Sequence, residues 1–355
     1  MGSILKGQKL SEQPYEDRIS NLPNSLIAQI LSCLPTKYAV ATSVLSTRCK
    51  QLWTSITSLD FDDMLLSCPQ NQSTDPSMQR SFMSFMRRVL LHHVSCVQRF
   101  VDDDLINRFL FGCPVLKGLS MSGCVGGNVS VINIVAPMLT SLFIHYCSYV
   151  GIWPRPHGIE RKIVLDTPAL LYLEIRDDAG DSCYLVENLH HLIRADIFLY
   201  AGHGSAISEA LSDLLKGMSN IQFLKLDFSI EVTCMRYCQL PKFPNMTCLE
   251  LGENFDVEWE FLLELLENSP RLETLVFKGG LGNDYEVFTQ LLRNPARNVP
   301  SCLLSHLKVI GINDFRGEKK EWEIVNYFLY KSKVLEKVNI TYSGGPKWTI
   351  HASRT

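Results

Sequence analysis

Apolar residues recur along most of this chain in one short signature, an aliphatic residue followed three and five positions later by two more. It appears at Ile56-Leu59-Phe61, Leu116-Leu119-Met121, Leu139-Leu142-Ile144, Leu170-Leu173-Ile175 and Leu192-Ala195-Ile197. It returns at Ile221-Leu224-Leu226, Met246-Leu249-Leu251, Leu272-Leu275-Phe277, Leu307-Ile310-Ile312 and Leu335-Val338-Ile340. In an extended segment side chains alternate between faces, so the last two positions of the signature point the same way. The first enters the same core from the preceding turn. Each copy therefore buries one row of a shared interior. From Leu116 onward the copies start 22 to 35 residues apart, a period typical of stacked repeats.

Between the signatures the pattern predicts helices, most clearly at Glu258–Leu266, where Trp259, Leu262, Leu263 and Leu266 share a face. Pro114, Pro137, Pro168, Pro244 and Pro270 each stand two residues before a signature. A helix is expected to end before such a proline and the strand to begin after it. The repeats resemble leucine-rich repeats of a variable, plant type, and Cys124 and Cys147 occupy the position where that family carries Asn or Cys.

The N-terminal pattern has a different period. Leu26, Ile27, Ile30, Leu31 and Leu34 recur at helical spacing, with Leu22-Pro23 before them and Pro35 after. Thr36 and Ser46 are each placed to cap a further short helix, the second ending at Leu52-Trp53. Three short helices in so few residues cannot bury all these apolar groups among themselves. The runs LPNSLIAQILSCLPTK and ATSVLSTR are similar to the plant F-box. That resemblance implies docking onto the Skp-type adaptor of a cullin-RING ubiquitin ligase through Leu22, Pro23, Leu26, Ile30, Leu31, Leu34, Pro35, Val44, Leu45 and Trp53. One position departs from the family: Cys49 stands where a tryptophan is usual.

A third pattern closes the chain. From Val299 to Ile340, Leu303, Leu304, Leu307, Val309 and Ile310 lead into a strand, Arg316-Gly317 turns, Trp322, Val325, Phe328 and Leu329 follow helical spacing, and Val334 to Ile340 forms a strand. Glu318, Lys319, Lys320, Glu321 and Glu323 are expected on a solvated face, and the tail from Thr341 as loose chain. This stretch resembles the FBD domain, and is expected to cap the array, because a solenoid's last unit must cover an open core. Relatives usually carry several repeats where His92 to Phe100 here runs directly into Asp102-Asp103-Asp104.

Composition narrows the chemistry. The 355 residues, 46% hydrophobic, supply ample core. A net charge of -3 gives no general attraction for phosphate backbones. No run of apolar residues is long enough to span a bilayer, and the N-terminus lacks the apolar core of a secretory signal, so the expected location is the nucleus or cytoplasm. The twelve cysteines form no CxxC pair and are expected to be reduced, buried thiols. Gly202-His203-Gly204-Ser205 lacks the order of a nucleophile turn, Gly123, Gly126 and Gly127 precede no phosphate-binding lysine, and His92-His93 and His190-His191 are adjacent pairs that diverge. Arg87-Arg88, near Phe82 and Phe85, is expected to be a solvated helix face.

The expected fold is α/β: a disordered lead-in (1–16), a small three-helix F-box (17–54), an irregular leucine-rich-repeat solenoid with parallel strands on its concave face and helices on its convex face (55–284), an FBD-type module (285–345) and a tail (346–355). The resemblance implies a non-catalytic substrate-recognition subunit of an SCF-type ubiquitin ligase, partnered by the adaptor, by cullin and RING subunits through it, and by a target protein. It implies no cofactor, metal, nucleic acid or membrane. A second reading is a repeat-based interaction protein that no longer assembles into a ligase.

Overall fold

A computed structural model describes residues 21–46, 48–52, 58–62, 116–122, 131–146, 161–177, 182–200, 206–229, 239–253, 259–282, 299–345 and 347–351. The lead-in, Trp53, Ile56, Pro114, Cys124, Cys147, the join near Phe100, Arg87-Arg88, His92-His93, the glycines at 123, 126 and 127 and the 202–205 loop lie outside these residues. The chain divides into two compact units, Met1–Ile56 and Thr57–Thr355.

The first unit is helical. Helix α1 spans Asn24–Ser32, α2 spans Thr36–Ala41 and runs into a 3-10 turn at Thr42–Val44, and α3 spans Cys49–Leu52. Pro23 stands one residue outside α1 in an extended conformation, and its carbonyl accepts from the amides of Leu26 and Ile27 at 3.1 and 3.2 Å. Its missing N–H therefore costs the helix nothing. Pro35 does the same for α2, which makes Thr36 the buried first helical residue and not the expected cap. Ser46 does cap, its Oγ accepting the Cys49 amide at 3.0 Å. Arg48 ties the start of α3 back to α1, donating from Nε to Asn24 Oδ1 at 2.7 Å and from Nη2 to the Leu22 carbonyl. Ile27, Leu31, Ala39 and Leu52 form the buried interior.

The second unit is built on one long sheet. Its strands are β1 (Ser58–Asp62), β2 (Gly118–Ser122), β4 (Ser141–Tyr146), β6 (Tyr172–Asp177), β8 (Arg194–Tyr200), β9 (Phe223–Ser229), β10 (Cys248–Leu251), β11 (Thr274–Phe277), β12 (Val309–Phe315), β13 (Lys337–Tyr342) and β14 (Lys347–His351), in that spatial order. Every adjacent pair is parallel except β13 with β14. The ten signatures supply the first ten strands in register: Leu142 lies beside Leu173, Leu173 beside Ala195, and Ile310 beside Val338. Just before each strand of this long sheet from β4 to β13 a backbone amide reaches the preceding repeat, as Leu171 to Thr140 (2.9 Å), Gln222 to Ile193 (2.9 Å) and Glu336 to Lys308 (2.8 Å). These bonds hold one pitch while repeat length varies.

Behind the sheet lies a second layer, and here the structure differs from the expected helices. Three repeats return through strands, β3 (Val131–Val135), β5 (Arg161–Asp166) and β7 (Ser182–Glu187), which make a parallel sheet of their own. Accordingly Pro137 and Pro168 follow strands, not helices. Later repeats return through α4 (Ala206–Gly217), α5 (Trp259–Glu267) and the short α6 (Ser301–Ser305). Length alone does not decide between them: the repeats that return through strands run 23, 31 and 22 residues, from Leu116 to Leu139, Leu170 and Leu192 in turn, and the repeat that returns through α5 runs 26, from Met246 to Leu272. Six residues of strand cover roughly 20 Å and twelve of helix about 18 Å, so either element bridges the same layer. The core between the layers combines the signature residues with Ile132, Ile134, Ile163, Leu165, Leu214, Trp259 and Leu262, all buried.

At the C-terminal end, β12 and β13 continue the sheet and α7 (Lys319–Lys331) lies between them in sequence. Two expectations change here. Glu321 is 1% exposed and not solvated: its Oε2 accepts the amides of Arg316 (3.0 Å) and Glu318 (3.1 Å), closing a capping box at the start of α7. Gly317, at φ +81, makes the preceding turn in a conformation that side chains disfavour. The tail is not loose either, since Lys347–His351 pairs antiparallel with β13.

Candidate functional site

On the helical unit, the expected adaptor-binding residues separate into two groups. Pro23, Leu26, Ile30, Leu34, Val44 and Leu45 are exposed, Val44 to 87% and Leu45 to 77%. Leu22 and Pro35 are half-buried. Leu31 faces inward at 4% exposure, so its side chain packs with Ile27 in the interior instead of joining the presented surface. The helical repeat explains the split: Leu26 and Ile30 are four apart on one face of α1, with Ile27 and Leu31 on the neighbouring face. Tyr38, also exposed, adds to the apolar surface and was not among the expected residues. An unpaired set of large aliphatics on so small a unit suits a protein interface better than water.

A second constellation lies on the face of the long sheet opposite the helices and the small sheet. The positions between signature residues point there. Glu174 of β6 and Asp196 of β8 stand side by side. The Tyr172 hydroxyl lies between them, 2.7 Å from Glu174 Oε2 and 3.1 Å from Asp196 Oδ2. Arg176 Nε donates to Glu174 Oε1 at 2.7 Å, and Arg194 donates from Nε and Nη2 to the two Asp196 oxygens at 3.0 and 2.9 Å. His145 Nε2 lies 3.1 Å from Glu174 Oε1. The His145 contact, joined by Tyr172 and Arg176 and opposed by burial, holds the Glu174 carboxyl down at about 2. Burial first, and the adjoining carboxylates, push the Tyr172 phenol well above its ordinary range.

The guanidinium groups are also stacked. The Arg194 centre lies 3.9 Å from the Phe223 ring centroid and that of Arg176 4.2 Å from that of Phe198. Lys225 and Lys278 continue the row, 3.4 and 3.6 Å from Glu250. Gly252 leaves the space that Asp227 fills, since a Cβ there would come within 2.2 Å of the Asp227 carboxyl carbon. Sequence reasoning named none of these polar residues. Their signal was present in the positions alternating with the signatures, where Phe143, Glu174, Asp196, Lys225 and Glu250 align across successive strands.

Among the described residues, no group of three or more His, Cys, Asp or Glu is arranged to hold a metal ion, and no helix is long and apolar enough to cross a membrane. His190 and His191 are exposed. Cys302 and Cys248 are desolvated thiols pushed up to about 12 and about 11, whereas Cys33 and Cys183 are exposed, against the expectation of burial.

An F-box domain model matches residues 19–60 and an FBD model matches residues 294–340. Over 92% of its length the chain is 27% identical to an F-box/FBD/LRR-repeat protein of Arabidopsis thaliana, covering 90% of that protein. It is 27% identical to an F-box/LRR-repeat protein of the same plant over 92% of this chain and 82% of the relative. A further Arabidopsis F-box/FBD/LRR-repeat protein is 24% identical over 89% of each. The chain thus carries F-box and FBD domains and has F-box/FBD/LRR-repeat homologues across most of its length. These matches run over 413, 437 and 392 positions, more than the 355 residues of the chain, so each relative carries residues that have no counterpart here.

Proposed function

We propose that this chain is the substrate-recognition subunit of an SCF-type E3 ubiquitin ligase, working in the nucleus or cytoplasm. The observation that carries the reading is the exposed apolar set Leu26, Ile30, Leu34, Val44 and Leu45 on the helical unit that matches the F-box. In this reading these side chains receive a Skp-type adaptor, which brings cullin and RING subunits. The repeat sheet holds a target protein, and the FBD-like end, with β14 covering the edge of β13, caps the array. The chain itself performs no chemistry. It raises the effective concentration of a target lysine at a ubiquitin-charged enzyme.

Co-expression with a Skp-type adaptor tests the first half. The expected result is a stoichiometric complex that Ile30→Glu together with Val44→Glu abolishes. Recovery of the adaptor unchanged by that pair would remove the reading. The alternative, an interaction protein detached from ligase assembly, rests on Cys49 in the third helix. It predicts no complex with the native chain and rescue by Cys49→Trp.

A further inference from the structure

The polar cluster on the open sheet face is stratified. Its carboxylates lie low: the side chains of Glu174, Asp196 and Glu250 are 9–16% exposed, and Asp227 is 5% exposed. Its cations stand above them: Arg176, Arg194, Lys225 and Lys278 are 24–48% exposed. Four positive and four negative side chains cancel in sum, but the outer layer is cationic. Each guanidinium lies against a phenylalanine ring and is held on its Nε side by a carboxylate two residues away on its own strand. This double restraint limits the rotation of the group, while the Arg176 and Arg194 side chains stay 48% and 43% exposed. A fork so restrained loses little entropy when it takes a carboxylate.

We infer that this face, from β4 to β11, receives an acidic segment of a protein partner, with Arg176 and Arg194 taking its carboxylates and Lys225 and Lys278 flanking them. Charge complementarity selects that occupant. A basic segment would meet four cations before it reached a carboxylate. Nucleic acid is disfavoured, because binding to a phosphate backbone gathers its affinity from many cations over a broad basic surface, and this face offers four in a chain of net charge -3. The rings of Phe143, Tyr172, Phe198 and Phe223 beneath and beside the cations add apolar contact for the backbone and stems of the segment. The inference rests on the reading of the sheet as the target-holding surface, and is separable from adaptor docking on the other unit.

The test uses the full chain, in complex with its adaptor if one forms and alone if not, so that loss of the adaptor and loss of this site are read independently. A short labelled peptide alternating glutamate and glycine is titrated by fluorescence anisotropy, beside the same peptide with glutamine or lysine in place of glutamate and a labelled oligodeoxythymidine. The glutamate peptide is expected to bind, more weakly as salt rises, and the others to bind at least about tenfold less well. Arg176→Gln and Arg194→Gln are each expected to weaken it about tenfold. Arg176→Lys and Arg194→Lys, which keep charge and fold but lose the fork, are expected to weaken it severalfold, and they decide the matter if the glutamine variants melt. Failure of the folded native chain to bind the glutamate peptide, equal binding of the glutamine peptide, tighter binding of the oligonucleotide, or affinity unchanged in the lysine variants would each overturn the proposal.

Discussion

Glu174 and Asp196 face each other across adjacent parallel strands with a single phenol, that of Tyr172, between their oxygens. Two carboxylates in directly opposed positions repel. They are tolerated because Arg176, Arg194 and His145 close the other sides and one hydroxyl proton is shared over the gap. Tyr172→Phe should therefore destabilise the second unit by about 1–3 kcal/mol while keeping the ring contact with Phe143. Urea unfolding followed by near-ultraviolet circular dichroism measures it, and an unchanged midpoint would show that the hydroxyl is dispensable.

The depressed Glu174 carboxyl gives that network a pH dependence. Its folded value, about 2, lies below the ordinary 4.5, so the unfolded chain binds the proton first on acidification. The stabilisation is present above about pH 4.5 and is lost as pH falls toward 2. Glu174→Gln should flatten the acid limb of the thermal stability curve across that interval. A limb of equal slope in both proteins would contradict the assignment.

Ile30 and Leu31 are neighbours with opposite duties. Leu31→Ala opens a hole in a small helical core and should cost about 2–5 kcal/mol. Ile30→Glu changes an exposed position and should shift stability by less than about 0.5 kcal/mol. Hydrogen exchange in α1 to α3 separates the two: protection falls in the first variant and holds in the second. Under the proposed function, only the second loses adaptor while remaining folded.

The capping carboxylate of Glu321 is a test of the C-terminal end. Glu321→Ala leaves the amides of Arg316 and Glu318 without their acceptor and should cost about 1–2 kcal/mol. Faster exchange at those two amides, with β11 unaffected, is the expected signature. Uniform exchange changes throughout the sheet would point to a different role.

The order of the strands was legible because each signature repeats one physical demand: a row of aliphatics on a single face of an extended segment. Ten such rows specify ten strands, and their spacing a parallel stack. Helix α5 was equally plain, with an apolar face long enough to leave no other reading. The burial of Glu321, the pairing of Lys347–His351 and the strand layer of β3, β5 and β7 were not legible, since each depends on a partner distant in sequence. The same holds for Leu31, whose apolar character alone could not say which face of α1 turns inward.

What the amino-acid sequence determined by itself was thus the repeat, the helical N-terminal unit and the resemblance of both ends to known domains, because these follow from local periodicity. The tertiary structure decided which side chains those elements bury and which they present. It set Val44 and Leu45 outward and Leu31 inward. It also brought Tyr172, Glu174, Arg176, Arg194 and Asp196 from two strands into one network. Charge on an alternating position has no partner until neighbouring strands come into register, and register is a property of the stacked sheet, not of any one strand.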